Sequence, residues 1–110
     1  MLKKKFLVSD MELNGKKIGD GFTEDSYIII DIPSVKERLL LKEKFNNAEN
    51  VSYLENVELM KGFIVTISCK PIDDNEIITD FDLLSCYAFG TELLTWLGEL
   101  LASGFVPKKA

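Results

Sequence analysis

The stretch from Asp80 to Phe105 constrains this chain more than any other. Fifteen of its 26 residues are apolar or aromatic, its four charges are all acidic, and it holds the only Trp. A chain of 110 residues can cover one face of such a segment, and apolar helix surface left over calls for a partner. Gly90-Thr91 divides the stretch, predicting one helix over Asp80–Phe89 and another over Thr91–Ser103. Asp80 and Asp82 suit the N-terminus of the first, Gly104 caps the second and Pro107 prevents its continuation. On a helical wheel Leu93, Leu94, Trp96, Leu97, Leu100 and Leu101 cover about 160°, opposite Glu92, Thr95, Glu99 and Ser103. Trp96 falls at the border of that stripe, a position that suits the rim of a core and an interface hot spot alike.

The first two thirds of the chain read as strands around one helix. Lys3–Leu13 and Lys16–Ile18 flank Asn14-Gly15, the dipeptide that best accepts the positive φ angles of a type I′ turn, so a hairpin is expected there. Tyr27–Ile32 is a β-branched run stopped by Pro33, with Ile28, Ile30 and Ile32 on one face. Ser34-Val-Lys-Glu37 then matches a capping box, predicting a helix to about Phe45 and a loop over Asn46–Asn50. Val35, Leu39, Leu41 and Phe45 span a wide arc of that helix, and Leu40 lies outside it. One face therefore cannot hold every apolar residue. Gly62–Lys70 alternates Phe63, Val65, Ile67 and Cys69 with Ile64, Thr66, Ser68 and Lys70, the pattern of a strand. Ile77-Ile78 can return beside it after a polar turn. The expected fold is α+β: an antiparallel sheet of three to five strands packed on a mid-chain helix and a two-part C-terminal helical segment. One domain holds an N-terminal hairpin and strand (1–33), a helix (34–46), a strand and hairpin (62–79) and helices (80–104).

Charge and composition exclude several functions. The net charge is −5, but residues 18–107 carry 6 basic against 16 acidic side chains, and five lysines crowd the first 17 positions. An acidic body of this kind repels nucleic acid. No signal peptide is read at the N-terminus and no run is long enough to span a membrane. Cys69 and Cys86 sit in apolar surroundings, which predicts buried free thiols and a cytoplasmic protein. The chain has no His, so the usual general base and the commonest transition-metal ligand are missing. Two separated cysteines make no zinc site. The acids Asp73, Asp74, Glu76, Asp80 and Asp82 invite a calcium loop, but Ile77 and Ile78 stand where an EF-hand needs an oxygen ligand and a glycine. No phosphate-binding loop is present. The expectation is a non-enzymatic domain with no cofactor and no metal.

Two stretches carry a family resemblance. Tyr27-Ile-Ile-Ile-Asp-Ile-Pro-Ser-Val-Lys-Glu-Arg38 resembles the strand, Pro-Ser, charged-helix opening of some tailed-phage tail assembly chaperones. Glu76-Ile-Ile-Thr-Asp-Phe-Asp-Leu-Leu84, an apolar helix and Gly104-Phe-Val-Pro-Lys-Lys109 are similar to their C-terminal half. Together these cover about two thirds of the chain. The resemblance implies a protein in the host cytoplasm that binds the aggregation-prone tape measure protein while tail tube subunits polymerise around it. Its amphipathic helices would offer apolar grooves to client helices, with Leu40, Phe89, Trp96, Leu97 and Leu100 as the contact residues.

Two alternatives use other features. A small acidic inhibitor of a host protein would occlude a basic surface with Asp73, Asp74, Glu76, Asp80 and Asp82. A minor structural virion protein would bury its apolar helix in a symmetric homo-oligomer.

Overall fold

A computed structural model describes residues 2–46, 53–86 and 89–103, and the architecture is α+β as expected. In chain order the elements are β1 (Leu2–Leu7), a 3-10 turn (Val8–Asp10), β2 (Glu12–Leu13), β3 (Lys16–Lys17), β4 (Tyr27–Ile32), α1 (Val35–Asn46), α2 (Tyr53–Lys61), β5 (Ile64–Ser68), α3 (Phe81–Leu84) and α4 (Phe89–Ser103). The main sheet is antiparallel with order β1-β4-β5, and β2-β3 forms a separate two-stranded ribbon.

The isoleucine-rich β4 takes the centre. It pairs with β1 over six residues, from Leu2↔Ile32 to Leu7↔Tyr27, and with β5 from Tyr27↔Ser68 to Ile30↔Ile64. Alternation sends Phe6, Ile28, Ile30 and Ile67 into one core with Leu93, Trp96, Leu97, Leu100 and Leu101 of α4. There the Trp96 indole meets the Phe6 ring edge to face, with centroids 5.2 Å apart and planes at 79°. On the opposite sheet face Lys3 and Lys5 are exposed, and Tyr27, Ile29 and Asp31 are half-buried.

The hairpin turn is as expected, with φ of 51° at Asn14 and 80° at Gly15. Its first arm is not. A single strand over Lys3–Leu13 is broken by the 3-10 turn, so β1 pairs with β4 and only Glu12–Leu13 pairs with Lys16–Lys17. Val8 drives the break, because its side chain is fully buried and its N–H bonds to the Ser26 carbonyl at 2.9 Å. Gly19 packs directly on Val8, where a Cβ would collide with its Cγ1 and its carbonyl oxygen. Ser26, 2% exposed, ties this corner to the strand beyond. Its hydroxyl accepts the Lys70 N–H at 3.0 Å and lies 3.0 Å from Thr23 Oγ1.

Three further expectations change. The β5 alternation is interrupted by a bulge: Ile29 pairs with Thr66 and Ile30 with Ile64, leaving Val65 unpaired and outward. The C-terminal segment divides before Phe89, and Gly90 lies inside α4 rather than between two helices. Asp80 does cap α3, its carboxylate accepting the Leu83 N–H at 3.2 Å. Cys86 is exposed, not buried, whereas Cys69 is buried and both are free thiols. Helix α2 is a finding that the sequence did not signal. Asn46, the first residue of the predicted Asn46–Asn50 loop, is instead the last of α1; the rest of that loop and the Gly104 and Pro107 stops lie outside the described residues.

Candidate protein-binding surface

Helix α1 starts where the capping box puts it. The Ser34 hydroxyl accepts the Glu37 N–H at 3.2 Å, and the Glu37 carboxylate accepts the Ser34 N–H at 3.0 Å. Pro33 is buried at the end of β4, so the chain leaves the sheet and enters the helix at one fixed angle. From that start Leu41 turns inward, 3% exposed, while Val35, Leu39 and Leu40 turn out at 62%, 61% and 50%. Leu40 and Leu41 border a shallow groove of about 180 Å³ closed by Glu37, Lys44, Leu59 and Phe63. The helix carries four basic residues (Lys36, Arg38, Lys42, Lys44) and two acidic ones (Glu37, Glu43), so its apolar strip has a net basic surround.

The expected contact residues do not share one surface. Leu40 is exposed as required. Trp96, Leu97 and Leu100 are 1%, 0% and 2% exposed, and so belong to the core. A partner could reach them only by opening the fold. The wheel misplaced Trp96 because the strip border that looked half-free is covered by Phe6 from the sheet. Phe89 begins α4, and its side chain lies outside those described. Val35 and Leu39 share the wide arc with Leu41 on the wheel, yet Leu41 is buried and both of them are exposed.

The alternative acidic surface is exposed at all five positions, but three of its members are engaged. Asp80 caps α3, Asp74 accepts the Glu76 N–H at 3.1 Å, and Asp82 bridges Lys61 at 2.9 Å. Lys61 also reaches Glu58 at 3.4 Å, and the Asp82 hydrogen bond raises its pKa above the usual lysine value. Ile72, Ile77 and Leu83 stand exposed among these acids.

Two other groups have shifted titration. The Thr23 hydroxyl, 2.6 Å away, lowers the Asp25 pKa at a fully exposed position. Burial raises the Cys69 thiol from 9.0 to about 12, against a smaller opposing effect of the Ser68 backbone hydrogen bond. Such a thiol is a packing group at neutral pH and not a nucleophile. Among the described residues no group of three or more His, Cys, Asp or Glu is placed to hold a metal ion. No described helix is long and apolar enough to cross a membrane. Comparison with protein families, curated proteins and solved structures found no match to this chain.

Proposed function

We propose that this domain is a non-enzymatic protein-binding module that holds an amphipathic client helix along α1. The observation that carries the proposal is the exposed set Val35, Leu39 and Leu40 beside the Leu41–Phe63 groove, on a helix whose Leu41 is already buried. A helix bearing leucines at i, i+3, i+4 and i+7 fits such a surface, and acidic flanks on the client would face Lys36, Lys42 and Lys44. Its fuller form is a tail assembly chaperone acting in the host cytoplasm, with the tape measure protein as client. The resemblance of Tyr27–Arg38 to that family supports this form, since those residues build β4, the cap and the start of α1.

A labelled helical peptide with a leucine stripe and glutamate flanks tests the proposal. It should bind the wild-type protein, and Leu39→Asp/Leu40→Asp should weaken it by about tenfold or more. Absence of binding, or equal binding by the double variant, overturns the proposal. The acidic-inhibitor alternative rests on the exposure of Asp73 and Glu76 beside Ile72 and Ile77. Reversing the charges at Asp73 and Glu76 would abolish binding of a basic host target in that case, while leaving the helical peptide unaffected.

A further inference from the structure

Strand β1 is an edge. β4 occupies one side of it along all six residues, and no described strand pairs with the other. The backbone groups that face outward follow from the register. The Val8 N–H bonds to the Ser26 carbonyl, next in line after Leu7↔Tyr27, so even-numbered residues of β1 direct their backbone groups to β4. The Asp31 N–H bonds to the Phe63 carbonyl at 2.8 Å on the β5 side, which gives the same parity from the other edge of β4. The N–H and C=O groups of Lys3, Lys5 and Leu7 therefore point away from the sheet, three donor–acceptor pairs at strand spacing.

Next to that edge lies a groove of about 310 Å³ lined by Lys4, Lys5, Phe6, Leu7, Asp10, Met11 and Trp96. Its lining joins Phe6, Met11 and Trp96 to two lysines and one aspartate. Trp96 is 1% exposed, and its buried indole Nε1 has no hydrogen-bond partner among the described residues. Lys4 and Lys5 keep their ammonium groups over the Phe6 and Tyr27 rings, at 5.4 and 4.3 Å from the centroids.

We propose that β1 is a docking edge for an extended acidic polypeptide, which adds as a fourth strand against the Lys3, Lys5 and Leu7 backbone with its carboxylates beside Lys3, Lys4 and Lys5. Charge selects the occupant. β1 carries three consecutive lysines and no acid, in a protein of net charge −5. A second copy of β1 would set lysine against lysine, which disfavours self-pairing at this edge. Lysines on an edge strand also discourage indiscriminate pairing, so the edge admits an acidic strand and rejects neutral or basic ones. The groove takes one apolar side chain of the added strand beside Phe6 and Met11. This surface is separate from α1 and does not depend on the client helix proposed above.

The experiment is a fluorescence anisotropy titration of the full chain with a labelled peptide of alternating Glu and Val, alongside the matching Lys–Val peptide. Saturable binding of the Glu–Val peptide is expected, weakened by about tenfold or more when salt is raised from 0.05 to 0.5 M (order-of-magnitude values). The Lys–Val peptide should not bind. A Glu–Val peptide N-methylated at every residue keeps its charge but offers no ladder N–H from either edge, and should also fail. In the protein, Lys5→Gln should weaken binding a few-fold, whereas Lys5→Pro should abolish it. The proline removes an outward N–H and leaves the β1–β4 ladder intact, which circular dichroism verifies. Asp10→Asn should tighten binding. No saturable binding of the Glu–Val peptide, equal binding of the Lys–Val peptide, or undiminished binding of the N-methylated peptide overturns the proposal. The peptide comparisons decide it even where a protein variant fails to fold.

Discussion

Helices α4 and α1 divide the molecule's apolar residues in opposite ways. The leucine-rich α4, with two acids and the single Trp, looks like the part of the chain that needs a partner. Yet Leu93, Trp96, Leu97, Leu100 and Leu101 are all buried. The highly charged α1 looks like a solvated helix, and it leaves Val35, Leu39 and Leu40 exposed. High local hydrophobicity marks the core when a sheet is at hand to cover it. Excess surface shows instead where few apolar residues meet too little cover.

That contrast breaks first at Trp96. Trp96→Ala removes the ring that meets Phe6 and should cost about 3–5 kcal/mol, a large part of the roughly 5–15 kcal/mol available to a domain of this size. Denaturant unfolding measures it, and a loss below about 1 kcal/mol would return Trp96 to the surface. The corner that β1 turns through should respond next. Ser26→Ala strips the Lys70 N–H of its acceptor in a buried place and should cost about 1–3 kcal/mol by the same measurement.

At the α1 end, Ser34→Ala removes one half of the capping box and should cost about 1 kcal/mol. Leu39→Asp should change stability by no more than about 0.5 kcal/mol, because the side chain already faces water. A loss of several kcal/mol at Leu39 would mean that α1 packs as the wheel implied.

The thiols sharpen the same distinction without changing the fold. A thiol reagent at neutral pH should label Cys86 promptly and Cys69 only on unfolding. The raised Cys69 pKa means that the folded state holds this proton more tightly than the unfolded chain. Its contribution to stability is therefore full below pH 9 and is lost as the pH rises toward about 12. Cys69→Ala should flatten that part of the alkaline stability profile.

Local chemistry was legible where a short motif fixes its own geometry. Asn14-Gly15, Ser34 with Glu37, Pro33 and Asp80 all act within a few residues, and each does what its sequence implies. What escaped depends on residues far away in the chain. The end of the Lys3–Leu13 strand is set by Gly19 and Ser26, which make room for Val8 and bond to it. The outward turn of Val65 comes from pairing with β4. α2 has Met60 buried and Val57 and Leu59 half-buried, a face defined by α4 and the core more than by its own pattern. For the candidate surface, Leu40 was legible as the leucine that no single face could hold. Val35 and Leu39 were not, because a wheel shows which residues share a side but not which side the rest of the protein covers.

The most direct test of this division is acrylamide quenching of the single Trp, with and without the leucine-striped helical peptide at saturation. Trp96 as a core residue predicts weak quenching that the peptide leaves unchanged. Strong quenching of the free protein that the peptide suppresses would place the client on α4 and contradict the account.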